Sequence, residues 1–371
     1  MADRSQQHSL RVVVPIVAGI GNGLLAVPLV RQLRRRRPNS RICVVAGSGA
    51  MGEVFRRLDE VDRVLILEGG FFGKLRVLAA IRAQRPDVCL VPFPSNRWQY
   101  ALFARLSGAR RRVIHAYPSG RARRGGGVPR DRIPALAGIH DVEQNLRLLA
   151  ALDIEPDLTE APVFPLTESD RNNARDRLAR AGLDRAATPI VIHAGSAQTV
   201  IAEAKRWPTE RFADLVRKLD GECDADIVIV EGPGERGIAQ SIARQAAPAR
   251  ARTLALSSGL GDAAALLEQA RIYVGSDSGL AHLAAAVGTR TVTLFAPTDP
   301  SRVCPFGQRT GVVQPRGKTC APCYDYPMRA RRPRVACRAP FCIAEITAEQ
   351  VFARVAAVLD GAACSTGTGS V

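Results

Sequence analysis

Aromatic residues are scarce, at 5% of the 371-residue chain, and lysine is scarcer still: Lys74, Lys205, Lys218 and Lys318 are the only four among 52 basic residues. Acidic residues are nearly missing from one region. Residues 1–140 carry 8 of them against 25 Lys and Arg, whereas the remainder balances at 27 of each. The formal net charge of +17 therefore belongs to the first third, and an anionic partner is expected to meet that part. Long apolar runs are absent as well. Val12–Val17 and Ile190–Ile192 fall far short of the ~20 residues that span a bilayer. The polar stretch Met1–Gln7 lacks the apolar core of a secretory leader, so the expectation is a cytoplasmic protein. Nine cysteines are too few, and odd in number, for a disulfide scaffold; in a reducing compartment a cluster of them points to metal. A hydrophobic share of 46% with 23% charged residues excludes wholesale disorder.

What is present is alternation. Short β-rich runs (Arg11–Val17, Arg41–Val45, Arg63–Leu67, Asp87–Val91, Arg110–His115) are separated by helical patterns, the first running from Leu24 to Arg36. A Gly/Arg stretch at Gly120–Arg130 reads as a loop, and Gly138–Ala151 as a helix. Residues 155–168, with three prolines, read as a linker. Alternation then restarts with strands at Pro189–His193, Asp226–Val230, Ile272–Gly275 and Thr291–Phe295. Helices are expected at Pro208–Leu219, Glu235–Gln245, Ala263–Ala270, Leu280–Val287 and Ala348–Leu359. This is the pattern of α/β proteins with parallel sheets, and a ligand is expected beyond the carboxyl ends of the strands.

Five motifs carry chemical content. The run Ala18-Gly19-Ile20-Gly21-Asn22-Gly23 lies between a strand and a helix, where glycine permits close backbone approach and a helix start favours anions; a tightly packed turn explains it equally well. Gly232-Pro233-Gly234-Glu235-Arg236-Gly237 follows a strand. Glu235 there suits a ribose hydroxyl or simply the first turn of a helix. Gly275-Ser276-Asp277-Ser278-Gly279-Leu280-Ala281-His282 closes a strand and opens an Ala-rich helix. It suits a diphosphate, with helix capping by Asp277 or Ser278 as the plainer alternative. His193-Ala194-Gly195-Ser196, followed by Lys205-Arg206-Trp207-Pro208, offers donors and positive charge. Finally Cys320, Cys323, Cys337 and Cys342, inside an Arg- and Pro-rich segment at 316–342, have the spacing of a tetrahedral site for structural zinc or iron. Four reduced cysteines packed in a loop are the alternative.

Together these residues resemble glycosyltransferase family 9, the family of the ADP-heptose lipopolysaccharide heptosyltransferases. The similarity runs over roughly 11–360 and is sharpest at Lys205–Pro208, Asp277–His282 and Ala296–Pro300. It implies the GT-B fold, two Rossmann-like parallel-sheet domains facing a central cleft. An acceptor-binding domain would span 1–160, and a nucleotide-sugar-binding domain 161–345 would include the Cys-rich segment. Residues 346–371 would form a helix returning to the first domain and a polar tail. It further implies that Ser196 and Lys205 contact donor phosphates or sugar, Glu235 the ribose, and Asp277, Ser278, Gly279 and His282 the diphosphate and donor sugar. Gly19, Gly21 and Gly23 would form the acceptor loop. The family inverts the anomeric centre by direct displacement without a required catalytic cofactor, using an Asp base directly after the loop glycine. Here that position is Asn22, and Glu68 is the alternative base.

The expected function is therefore an inverting glycosyltransferase. It would move a sugar, heptose among the candidates, from an ADP-heptose-like nucleotide-diphosphate donor to an anionic glycan or glycolipid of the cell envelope, with peripheral association at the inner membrane face. Two other readings compete: a sugar-nucleotide-binding or epimerase-type GT-B protein, and a basic nucleic-acid-binding protein. The runs Arg34–Arg37 and Arg110–Arg112 have no interleaved aromatics, which counts against the latter.

Overall fold

The computed structural model describes residues 9–17, 19–117, 131–195, 204–256, 259–317, 322–323 and 341–359. The chain divides between Phe164 and Pro165 into two α/β units. In chain order the first contains β1 (Arg11–Ile16), α1 (Ile20–Leu24), α2 (Val27–Arg36), β2 (Arg41–Ala46), α3 (Gly49–Arg56), β3 (Arg63–Ile66) and α4 (Gly70–Ala83). It continues with β4 (Val88–Leu90), α5 (Trp98–Leu106), β5 (Arg111–Ala116), β6 (Asp131–Pro134) and α6 (Asp141–Leu146). All neighbouring strands are parallel, in the order β3-β2-β1-β4-β5-β6. Central strands covered on both faces must be apolar throughout rather than alternating, and β1 and β2 are buried from their second residue onward.

The glycine run differs from its sequence reading. Gly19 caps a short helix, so Gly21, Asn22 and Gly23 lie in the helical turn α1 and not in an open loop. One helix over 24–36 was expected; the structure breaks it at Leu25 and Ala26, because Pro28 at the start of α2 has no amide hydrogen with which to continue the ladder. The buried Asn145 side chain bridges this break, donating to the Leu25 carbonyl (3.0 Å) and accepting from the Phe93 amide (2.7 Å). Gly23 is explained by packing, since a Cβ there would overlap the Met51 sulfur of α3.

The second unit contains α7 (Glu168–Arg180), β7 (Ile190–His193), α8 (Thr209–Glu222), β8 (Ile227–Glu231), α9 (Ile238–Ala246), β9 (Ala251–Ala255) and α10 (Leu260–Gln269). It ends with β10 (Ile272–Ser276), α11 (Gly279–Ala286), β11 (Thr291–Leu294), α12 (Pro300–Val303), β12 (Val312–Val313), α13 (Phe341–Ala344) and α14 (Ala348–Val358). Its strand order, β12-β11-β10-β7-β8-β9, repeats that of the first unit. Each order reverses beside the unit's first strand, at β1/β4 and at β7/β10.

The last helix packs within the second unit. Ala348, Val351, Val355 and Leu359 are buried in the core of the second unit, together with Phe212 and Leu215 of α8 and Val292 of β11. A capping box at Thr347 and Gln350 starts that helix. Trp207 locks the preceding turn by donating from Nε1 to the Ile346 carbonyl (2.9 Å). Among the described residues no helix is long and apolar enough to cross a membrane.

Candidate functional site

In an open parallel sheet, ligands bind beyond the carboxyl ends of the strands where the strand order reverses. In the second unit that point lies between β7 and β10, whose registers align His193 with Gly275. Three of the sequence motifs end there. Lys205 and Asp277, far apart in the chain, form one ion pair: Lys205 Nζ donates to Asp277 Oδ2 at 2.7 Å. Thr298, on the loop after β11, donates to the same oxygen at 2.7 Å. Burial pushes the Asp277 carboxyl up, but the Lys205 charge and the hydrogen bonds from Lys205 and Thr298 outweigh it, so the group lies below the ordinary carboxylate range. Trp207 holds the Lys205 segment in place. It is buried beneath the start of α8, with its ring edge-on to Phe212 at 4.8 Å.

Neither acidic nor hydroxyl side chain caps α11. Ser278 occupies the capping position in extended conformation, yet its side chain accepts no amide of the helix, and Asp277 is turned to Lys205. The first amides of α11 thus remain without a side-chain cap beside Gly279, the arrangement that binds phosphate oxygens. His282, on the first turn, is buried, and its Nδ1 has no hydrogen-bond partner. Burial drives its pKa down to about 4, with Asp277 opposing and Lys205 adding to the shift. The imidazole is therefore neutral at physiological pH.

Glu235 belongs to a second buried chain. The sequence reading opens a helix at Glu235, but α9 starts at Ile238, and the carboxylate that receives its first amides is that of Glu231, from Gly237 (2.9 Å) and Ala239 (3.2 Å). Glu235 turns inward instead, accepting from the Gly232 amide (2.7 Å) and meeting His193 Nε2 at 2.9 Å. Burial raises its pKa, and His193, the Gly232 amide and the nearby Arg206 charge together lower it further. An ionised carboxylate only accepts, so His193 carries its proton on Nε2. The Tyr273 hydroxyl lies 3.3 Å from His193 Nδ1 and 3.4 Å from Ser278 Oγ. A Cβ at Gly195 would overlap the Glu235 carboxyl, so only glycine leaves it room.

Of the donor-side candidates, the structure brings Lys205 and Asp277 into direct contact and links Glu235 to Ser278 through His193 and Tyr273. Ser196 lies outside the described residues. Tyr273 is not singled out by the sequence, while His193 and Thr298 stand in the His193–Ser196 and Ala296–Pro300 stretches without a role of their own. In the first unit, Asn22 is half-buried in α1. Glu68 is exposed, and its Oε1 accepts the Gly49 amide at 2.8 Å, a capping role at the start of α3. Of the four cysteines, Cys320 and Cys337 lie outside the described residues, while Cys323 is exposed and Cys342 buried. Among the described residues no group of three or more His, Cys, Asp or Glu side chains is placed to hold a metal.

Part of each basic run is engaged within the fold. Arg34 binds the carbonyls of Pro38, Ser40 and Glu60 and pairs with Asp62. Arg37 donates to the Leu152 carbonyl, and Arg111 pairs with Asp131 at 2.9 Å. These guanidinium groups tie strand ends to loops, while Arg35, Arg36 and Arg110 stay exposed.

Two Rossmann-like parallel sheets of this order define the GT-B fold. Residues 76–332 match glycosyltransferase family 9 (heptosyltransferase), and the chain belongs to that family. It is 24% identical over 291 residues to lipopolysaccharide heptosyltransferase 3 of Escherichia coli, covering 75% of this chain and 81% of that one. Among solved structures it resembles the family 9 glycosyl transferase from Veillonella parvula DSM 2008 (TM-score 0.73, 19% identity, 96% and 100% of the two chains). It also resembles E. coli heptosyltransferase WaaC with ADP-2-deoxy-2-fluoro heptose (TM-score 0.66, 17% identity, 93% and 99%).

Proposed function

We propose that this glycosyltransferase transfers heptose from ADP-heptose to an anionic glycolipid acceptor of the cell envelope, with inversion at the anomeric carbon. The observation that carries the donor assignment is the Lys205–Asp277–Thr298 cluster beside the uncapped start of α11. The α11 amides and the remaining Lys205 protons would hold the diphosphate, Ser196 would add a donor, and Glu235 would meet the ribose. Neutral His282 would donate to the sugar or to a phosphate oxygen. The names of the E. coli relatives, a heptosyltransferase and one bound to an ADP-heptose analogue, support heptose and adenine over other sugars and bases.

In the displacement, an acceptor hydroxyl oxygen bonds to the anomeric carbon while the bond to the diphosphate oxygen breaks and ADP leaves with the electron pair. The hydroxyl proton must pass to a base. Asn22, an amide, orients the hydroxyl without accepting its proton, and Glu68 is the carboxylate assigned to take it through Oε2, its Oε1 being engaged by Gly49. Turnover of Asn22→Asp and Glu68→Gln tests this: one should rise or the other fall, and no change in both discards the two assignments. A thermal-shift comparison of ADP-, GDP-, UDP- and dTDP-sugars tests the donor, since only a bound ligand raises stability. The cytoplasm is the assigned compartment. A structural zinc or iron at Cys320, Cys323, Cys337 and Cys342, apart from catalysis, is tested by elemental analysis of purified protein.

A further inference from the structure

Helices α4 and α5 pack on one face of the first sheet, through Val77, Ile81 and Ala104 onto Val13, Cys89 and Val91. They meet at their carboxyl ends, where Arg82 Nη1 donates to the Leu106 carbonyl at 3.3 Å. Their starts follow β3 and β4, so both helix tips lie at the carboxyl edge of the sheet, the edge at which α1 begins. At those tips the packing is reversed. Phe71 and Phe72 are 70% and 78% exposed, edge-to-face with each other, and Trp98 is 61% exposed. Leu75 and Leu102 extend the apolar strip along the outer faces. Three large exposed aromatics at the starts of two helices on one sheet face, two of them in contact, require a reason in a chain with so few, because exposed apolar clusters mark interaction surfaces.

The charge around them selects the partner. Neither α4 nor α5 carries an acidic residue, while Lys74, Arg76 and Arg82 on α4 and Arg105 on α5 are basic. Lys74, Arg76 and Arg82 on α4 are all exposed. A symmetric contact with a second copy would set this basic surface against itself, whereas an anionic lipid surface satisfies both features. Phosphate headgroups take the cations and the acyl boundary takes the aromatic rings.

We propose that the α4–α5 tip is a membrane-docking surface in which Phe71, Phe72 and Trp98 insert into an anionic bilayer, with Lys74 and Arg76 against its headgroups. This deepens the reading of a membrane-borne acceptor and rests on it only for its biological sense. The test separates the two, because vesicle binding is measured without donor and ADP binding without vesicles.

The full-length protein is mixed with vesicles of phosphatidylethanolamine containing about a third phosphatidylglycerol, and with pure phosphatidylcholine vesicles. Sedimentation should show binding to the first and not the second, weakened as salt rises from about 0.1 to about 0.5 M. The chain has two tryptophans, and Trp207 is buried. A blue shift on vesicle addition, quenched by brominated lipid, therefore reports Trp98. Phe71→Ser/Phe72→Ser/Trp98→Ser should lower vesicle affinity at least about tenfold, and Lys74→Glu/Arg76→Glu at least about tenfold. Both variants should keep wild-type melting temperature and ADP affinity. Wild-type vesicle binding by the triple variant, equal binding to phosphatidylcholine, or a wild-type dimer that the triple variant converts to monomer without vesicle binding would each overturn the proposal.

Discussion

Replacing Lys205 by Met leaves the Asp277 carboxylate buried with Thr298 as its remaining side-chain donor. The side chains of Lys205 and Asp277 are 19% and 7% exposed, so the pair is mostly but not wholly removed from water. Breaking a fully buried pair costs about 3–5 kcal/mol, because one charge is left uncompensated; the partial exposure of Lys205 scales this to about 2–3 kcal/mol. For a unit of this size that is a fall of about 4–12 °C in melting temperature. The pH dependence identifies the cause. In the wild type the folded Asp277 pKa lies below its unfolded value, so its contribution is present above the unfolded pKa and is lost as pH falls through the folded one. In Lys205→Met burial dominates and the folded pKa rises above the unfolded value. The carboxylate then destabilises at neutral pH and ceases to do so on protonation. The gap between the two proteins should therefore be widest near neutrality and narrow, without vanishing, towards about pH 4. Lys205→Met/Asp277→Asn should recover about 1–2 kcal/mol relative to Lys205→Met, since no charge is stranded. Calorimetric melting without donor between pH 4 and 8 measures both. A pH-independent gap, or strict additivity in the double variant, refutes the pair as drawn.

His282 titrates in the same sense for the opposite reason. Its folded pKa of about 4 lies below the unfolded 6.5, so the stability it carries is complete above the unfolded value and falls by about 3 kcal/mol on acidification towards pH 4. His282→Gln should flatten that slope for the second unit, leaving the matching slope of buried His115 in the first; unchanged slopes in both calorimetric transitions would refute it. Gly195→Ala drives a methyl into the Glu235 carboxyl and should cost about 1–3 kcal/mol in urea unfolding. Gly23→Ala meets only the flexible end of Met51 and should cost less; the reverse ranking would count against the inward-turned Glu235.

The central strands were legible because a strand covered on both faces has to be an unbroken apolar run, as Val12–Ile16, Ile190–Ile192 and Ile227–Val230 are. The strands that escaped, β6, β9 and β12, all lie at sheet edges. Their sequences, DRIP, ARTLA and VV, are too polar or too short to stand out. Helix α7 escaped for a related reason. Only Ala174 and Leu178 are buried in it, so no apolar stripe appears, and its start is written instead in the Thr167–Asp170 capping box. Caps and edges are short-range signals easily outweighed by prolines nearby, which is why 155–168 read as linker throughout.

The site shows a different limit. Residue types at Lys205, Glu235 and Asp277 indicated anion chemistry, but their roles depend on partners that sequence distance conceals. Asp277 could have capped its own helix, and Glu235 could have opened one; each instead faces a group delivered by another strand end. What decides the matter is the strand order. Because β10 pairs with β7 and not with β9, the loops after β7, β10 and β11 converge, and Lys205 and Thr298 reach one carboxylate oxygen. Tyr273 makes the same point more sharply. Within a fully buried strand it reads as one more core residue, yet its hydroxyl joins His193 to Ser278 at the start of α11. The amides of that helix are free for a ligand only because the side chains that would ordinarily cap it are held elsewhere. The anion site is thus a consequence of topology acting on ordinary capping residues, and Lys205→Met is the change that would release one of them.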